Sequence, residues 1–256
     1  MRRARVRREE ARQIGEACAR ILRERFGARA VCLVGSAAGE SPWHGGSDID
    51  LVVEGLPPGR YLEALSALWE LLPEGLNVDL IPLEDASPEL AARIRGEERM
   101  PEDPKAALRK EIGDELANLD RLVAQANALL QKLPSAPTFV ETAAAGKLAH
   151  DFYTGVERLF ERIAVRLGPG LPAGPSWYTW LLRGMKREVE GVRPAVIDHA
   201  LALRLADYLR FRHLFRHSYG YELLWDRLAP LVEGLEETLR ELKRQLDRFL
   251  EALDRL

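Results

Sequence analysis

A chain of 256 residues has room for one large domain or two ordinary ones, and 46% apolar with 30% charged residues fits a folded globular protein, not a disordered one. A net charge of −3 excludes a molecule that is basic overall, but the charge is uneven: the first 29 residues hold ten arginines against four glutamates, and Arg204 to Arg216 holds four arginines and a histidine. Two cysteines, Cys18 and Cys32, exclude a disulfide framework, and no apolar run reaches the roughly 18 residues of a membrane span, so a cytoplasmic location is expected.

Apolar residues at Ile14, Cys18, Ile21, Leu22 and Phe26 predict a helix from Glu9 to Phe26, stopped by Gly27. Ala30 to Val34 reads as a buried strand that runs into the small-residue turn Gly35-Ser36-Ala37-Ala38-Gly39. Ile49 to Val53 predicts a second strand, Tyr61 to Leu72 a helix, and Val78 to Pro82 a third strand. The polar, proline-broken stretch 96–104 reads as a linker, and beyond it no strand is expected. Leu108 to Leu133 and Phe139 to Leu167 carry long helical stripes, a Gly/Pro loop covers 168–175, and a shorter helix starts at Ser176. A further helix is expected from Pro194 through the arginine-rich stretch to Gly220, and Leu228 to Leu256 reads as one bundle or coiled-coil seam. The expected fold class is therefore α+β, with a small α/β domain holding a mixed sheet over 1–98 and an all-α bundle over 104–256.

In the first half, small residues at Gly35 and Ser36 let backbone N–H groups approach phosphate oxygens, and the start of a helix there favours an anion. Asp48 and Asp50, after Ser47, sit at i and i+2 as a strand begins and share one face. Two carboxylates forced together repel, and a divalent cation that prefers oxygen ligands resolves the conflict. Asp79, flanked by apolar residues in the third strand, would complete a three-carboxylate site for in-line nucleotidyl transfer. Each piece alone is ordinary, a turn or a cap. The combination resembles the minimal nucleotidyltransferase (MNT) family of the polymerase-β-like superfamily over about residues 10–95. Eleven residues separate Ser36 from Asp48, one more than the family's signature, and Ala37, Ala38 and Gly39 stand where the family carries an arginine. The resemblance implies ATP and Mg²⁺ as cofactors, nucleotide contacts from Gly35, Ser36 and Ser47, metal ligation by Asp48, Asp50 and Asp79, and transfer of AMP onto a hydroxyl.

In the second half, Phe211 to Gly220 crowds cations and aromatics at a helix end. An arginine can hold a phosphate, and a histidine that titrates near pH ~6.5 can move a proton at a ribose hydroxyl, which is what metal-independent RNA cleavage requires. Against this, Arg212 and His217 lie roughly 140° apart around an ideal helix, and the arginines could simply pair with acidic neighbouring helices. His213 and His217 at i, i+4 could ligate a metal but lack an evident third ligand. Arg212, His217 and Tyr219 match the Arg-x4-His-x-Tyr motif of HEPN-domain proteins, and the stretches around Asp151-Phe152-Tyr153 and Glu157-Arg158 are similar to the early helix of those bundles. That resemblance implies a dimeric ribonuclease-type bundle that binds RNA, with Tyr219 as the residue adenylylated by a cognate MNT partner. The combined expectation is a single-chain HEPN/MNT toxin–antitoxin-type protein whose nucleotidyltransferase silences its own ribonuclease-like domain. Two other readings stand beside it. One is a small-molecule, aminoglycoside-type nucleotidyltransferase with Glu157 or Asp151 as base; the other is a non-catalytic binding protein.

Overall fold

Leu33, Leu51 and Leu80 line up across a three-stranded sheet, and that row organises the N-terminal unit. Strand β1 (Ala30–Val34) pairs antiparallel with β2 (Ile49–Glu54), which pairs parallel with β3 (Val78–Pro82), giving a mixed sheet in the order β1-β2-β3. Alternation along the strands gives the sheet two faces. Val31, Ile49, Leu51, Val53, Val78 and Leu80 pack under α1 (Arg8–Phe26) and α3 (Tyr61–Trp69). Cys32, Val34, Val52 and Ile81 on the other face meet Leu90, Ala91 and Ile94 of α4 (Pro88–Ile94). Between β1 and β2, Gly35–Ala38 form a single helical turn, α2.

The computed structural model describes residues 6–39, 43, 47–97, 101, 103–168, 177–217 and 223–255, the side chains of 177 and 217 excepted. The chain divides into two units, Met1–Met100 and Pro101–Leu256. Among the described residues the second unit's regular elements are helices, apart from an isolated bridge between Val189 and Arg193, so the chain as a whole is α+β. Its helices are α5 (Pro104–Leu130), α6 (Phe139–Arg166), α7 (Trp177–Met185), α8 (His199–His217), α9 (Trp225–Glu233) and α10 (Leu235–Leu253). Helix α6 is its centre: Phe152, Val156, Leu159, Phe160 and Ile163 are fully buried, and α5, α7, α8 and α9 all pack on it. Asp103 and Thr138 cap α5 and α6, the latter in a reciprocal box with Glu141. No helix among the described residues is long and apolar enough to cross a membrane.

Several elements differ from the sequence expectation. Helix α8 starts at His199, not Pro194, because the Asp198 carboxylate accepts from the Leu201 N–H at 2.8 Å while Val196 and Ile197 are buried as an extended lead. The C-terminal leucines do not form one seam. Gly234 separates α9 from α10, and Leu228, Leu235, Leu239, Leu242, Leu246, Phe249 and Leu253 are buried in the core of the bundle. Helix α3 ends at Trp69, three residues early. Helix α4 was not expected at all, although Ser87 caps it by accepting from the Leu90 N–H, and Pro88 opens it.

Candidate functional site

Two places collect the chemistry, one in each unit. In the first, the strand register sets the geometry. Val34 is the partner of Asp50 across β1–β2, and Asp50 is the partner of Asp79 across β2–β3, so all three lie in one row on the α4 side of the sheet. The row is the polar end of that face, the apolar end being Cys32, Val52 and Ile81. Asp48 precedes β2 and accepts from Asn77 Nδ2 at 3.3 Å. Gly35 follows Val34 directly, with φ +69°, and a Cβ there would stand 2.5 Å from Asp50 Oδ2. Only glycine combines that left-handed backbone with so close a carboxylate.

The structure thus brings Gly35, Ser36, Asp48, Asp50 and Asp79 to one end of the sheet, and Ser47 lies next to Asp48 in the chain. Asp79 corrects one step of the sequence argument: it is exposed on the edge strand, so its apolar neighbours in the chain do not force it into an apolar setting. Half-buried carboxylates beside a glycine cradle suit a hard divalent cation shared with substrate phosphates. Among the described residues, however, no three His, Cys, Asp or Glu side chains gather as a metal cluster. The backbone register fits a metal-nucleotide site; the side chains as placed do not close one.

In the helical unit, Arg212 of α8 meets Glu157 of α6, Nη2 to Oε2 at 2.5 Å. Glu157 is 4% exposed, and the Arg212 side chain 13%. Among the described residues, Glu157 Oε1 and Arg212 Nε are buried with no hydrogen-bond partner. Burial pushes the Glu157 carboxyl up, while the guanidiniums of Arg212, Arg216 and Arg158 pull it down. One turn on, Glu161 is raised to about 7, first by burial and then by Glu157, with Arg158, Arg212 and Arg162 opposing. Tyr153, one turn before Glu157, is fully buried, and its hydroxyl is also raised, chiefly by burial. Thus Tyr153, Glu157 and Glu161 form a stripe at i, i+4 and i+8 of α6 whose electrostatic partners include Arg212 and Arg216 of α8. Another α6 stripe is basic and meets α5. Arg166 donates twice to the Glu111 carboxylate, at 2.9 and 2.6 Å, and Arg162 reaches Glu115 at 3.5 Å.

The arginine-rich stretch is therefore largely a set of ion pairs, the plainer of the sequence readings: Arg204 with Glu237, Arg210 with Asp207, and Arg212 with Glu157. His217 closes α8, but its side chain lies outside the described residues, as does all of Tyr219. His213 is exposed, its ring 6.1 Å from that of Tyr178. Sequence reasoning missed the pairing of Glu157 with Arg212. They stand 55 positions apart, on helices that only tertiary packing brings together, and no local spacing signals the pairing.

Glu161 sets a pH dependence. Its folded pKa of about 7 lies above the unfolded value of about 4.3. The fold therefore binds this proton more readily, and the resulting stability is complete below pH ~4.3 and is lost as the pH rises through about 7. Urea midpoints taken from pH 4.5 to 8 are expected to decline with pH, and Glu161→Gln to flatten the decline. An equal slope in the variant would exclude this assignment.

Residues 144–253 match a family described as HepT-like protein, a span that begins early in α6 and ends with the last residue of α10. A HepT-like domain of the HEPN superfamily thus occupies most of the helical unit, and Arg212, His217 and Tyr219 fall inside it. No curated protein and no solved structure matches the chain.

Proposed function

We propose that this chain is a self-contained toxin–antitoxin-type protein in which a nucleotidyltransferase unit over 1–98 adenylylates the HepT-like domain on Tyr219. What supports the reading is the row Val34–Asp50–Asp79 beside Gly35, in a chain whose helical part is HepT-like. Gly35, Ser36 and Ser47 would hold the phosphates of ATP, and Asp48, Asp50 and Asp79 would hold Mg²⁺. The cation supplies charge neutralisation to the triphosphate. The Tyr219 hydroxyl oxygen would bond to the α-phosphorus of ATP as that phosphorus parts from the bridging oxygen to the β-phosphate, so that pyrophosphate leaves and the hydroxyl proton passes to solvent. In the HepT-like domain, Arg212 and His217 are the phosphate-binding and proton-moving groups of an RNA-cleaving site, and the domain works as a homodimer. An adenylyl group on Tyr219 then sets bulk and negative charge two residues from His217.

The aminoglycoside-type alternative needs an open base on the bundle. Glu157 is buried against Arg212, and Asp151 is engaged by Lys147 and, at 3.2 Å, by His150. Neither observation favours that reading.

Tyr219→Phe separates the two activities. Expression of the full chain carrying it is expected to arrest growth and fragment cellular RNA, because silencing is lost while Arg212 and His217 remain. Growth and intact RNA equal to wild type, with equal protein levels, would refute the ribonuclease half.

A further inference from the structure

The turn Gly35-Ser36-Ala37-Ala38-Gly39 carries no cation of its own, and the groups beside it, Asp48, Asp50 and Asp79, are all negative. A triphosphate entering there meets like charge, and one divalent cation offsets only part of it. A positive group at the turn would offset more of it, and among the described residues the fold places one there from outside the turn. Arg8, the first residue of α1, lays its guanidinium over Gly39. A Cβ at position 39 would overlap it, with Cζ 2.7 Å and Nη1 3.4 Å away, and Gly39 has φ +94°. Gly39 thus leaves open the space that Arg8 fills, as Gly35 does for Asp50 at the other end of the same turn.

Two observations separate Arg8 from an ordinary solvated arginine. First, Arg12, Arg29 and Arg60 of this unit are engaged by Glu16, Glu54 and Glu63, whereas Arg8, like Arg7 and Arg20, is not held by a carboxylate among the described residues, and it lies beside the turn. Second, the backbone that carries it is held beside the turn. Trp43 Nε1 donates to the Val6 carbonyl at 2.8 Å, tying the lead into α1 to the chain between the turn and Asp48, and α1 packs on α2.

We propose that Arg8 is a phosphate-binding residue of the nucleotide site, its guanidinium receiving the triphosphate chain of a nucleoside triphosphate at the Gly39 end of the turn. This rests on the nucleotide-site reading above. A guanidinium holds phosphate oxygens by paired, charge-assisted hydrogen bonds, which an ammonium reproduces only in part. The residue therefore discriminates by phosphate number: it acts on the triphosphate, not on the nucleoside.

The test is calorimetric titration of the full chain, in Mg²⁺, with the non-transferable analogue α,β-methylene-ATP and separately with AMP. Arg8→Gln is expected to weaken the triphosphate about tenfold, as befits loss of a charged hydrogen bond, and to leave AMP unchanged. Arg8→Lys should fall between, and Arg12→Gln should match wild type. Because Arg8 is exposed, all three variants should melt as wild type does. Equal triphosphate affinity in Arg8→Gln and wild type overturns this proposal while leaving the nucleotide site standing. Absence of binding of either nucleotide by the wild type would overturn the site reading and this proposal together.

Discussion

Glu157→Ala is expected to destabilise the helical unit by about 3–5 kcal/mol, the usual cost of removing one partner from a buried ion pair. The reason is geometric. Arg212 cannot be deprotonated and, at 13% exposure, cannot easily reach water without leaving its place on α6. Arg216 and Arg158, which also act on Glu157, would add repulsion where they now add attraction. Glu157→Gln should cost less, because an amide oxygen still accepts from Nη2. Urea unfolding followed by circular dichroism measures both, and an alanine variant within about 1 kcal/mol of wild type would mean that the pair is not buried as described. The two changes also separate structure from chemistry. The glutamine variant retains an acceptor for Arg212, so any change in RNA cleavage reflects charge and not collapse.

Asp50→Asn is expected to reduce AMP transfer at least about a hundredfold, the range found when one preorganised electrostatic group is removed from a reacting site. Asp50 is central in three respects. It is paired in register with Val34 on one side and Asp79 on the other, and its carboxylate fills the space beside Gly35. Asparagine keeps the size and the fit against Gly35 but removes the charge that would hold the metal. The variant should therefore fold normally, and incorporation of labelled AMP into the full chain should nearly vanish. Incorporation within threefold of wild type would remove Asp50 from the reaction.

Most of the sheet was legible because its signals are local. Short apolar runs with glycine and proline punctuation placed Ala30–Val34, Ile49–Val53 and Val78–Pro82, and the helix between the second and third strands suits their parallel pairing. The row of Asp50 and Asp79 was half legible: spacing put Asp48 and Asp50 on one face, but only parallel pairing sets Asp79 beside Asp50. Apolar neighbours in sequence do not give Asp79 apolar surroundings, because it stands at the polar end of the face whose other end, with Ile81, packs on α4. In the helical unit the stripes gave the helices but not their breaks. Gly234 was hidden within a leucine pattern that continues across it, and Asp198 was passed over for Pro194 as a start. Long-range partners left no local trace at all. Arg212 meets Glu157 because α6 and α8 pack together, and Arg8 meets Gly39 because α1 lies over the first turn after β1. Neither contact is encoded in any spacing.

AMP transfer to Tyr219 is the central covalent event of the proposed function, and the intact mass of the full chain, purified and then incubated with Mg²⁺ and ATP, measures it most directly. The expected result is added mass in whole AMP units, located at Tyr219 by peptide mapping and absent from Tyr219→Phe and Asp50→Asn. An unmodified chain after incubation, together with no AMP on the protein as purified from cells, would contradict that transfer.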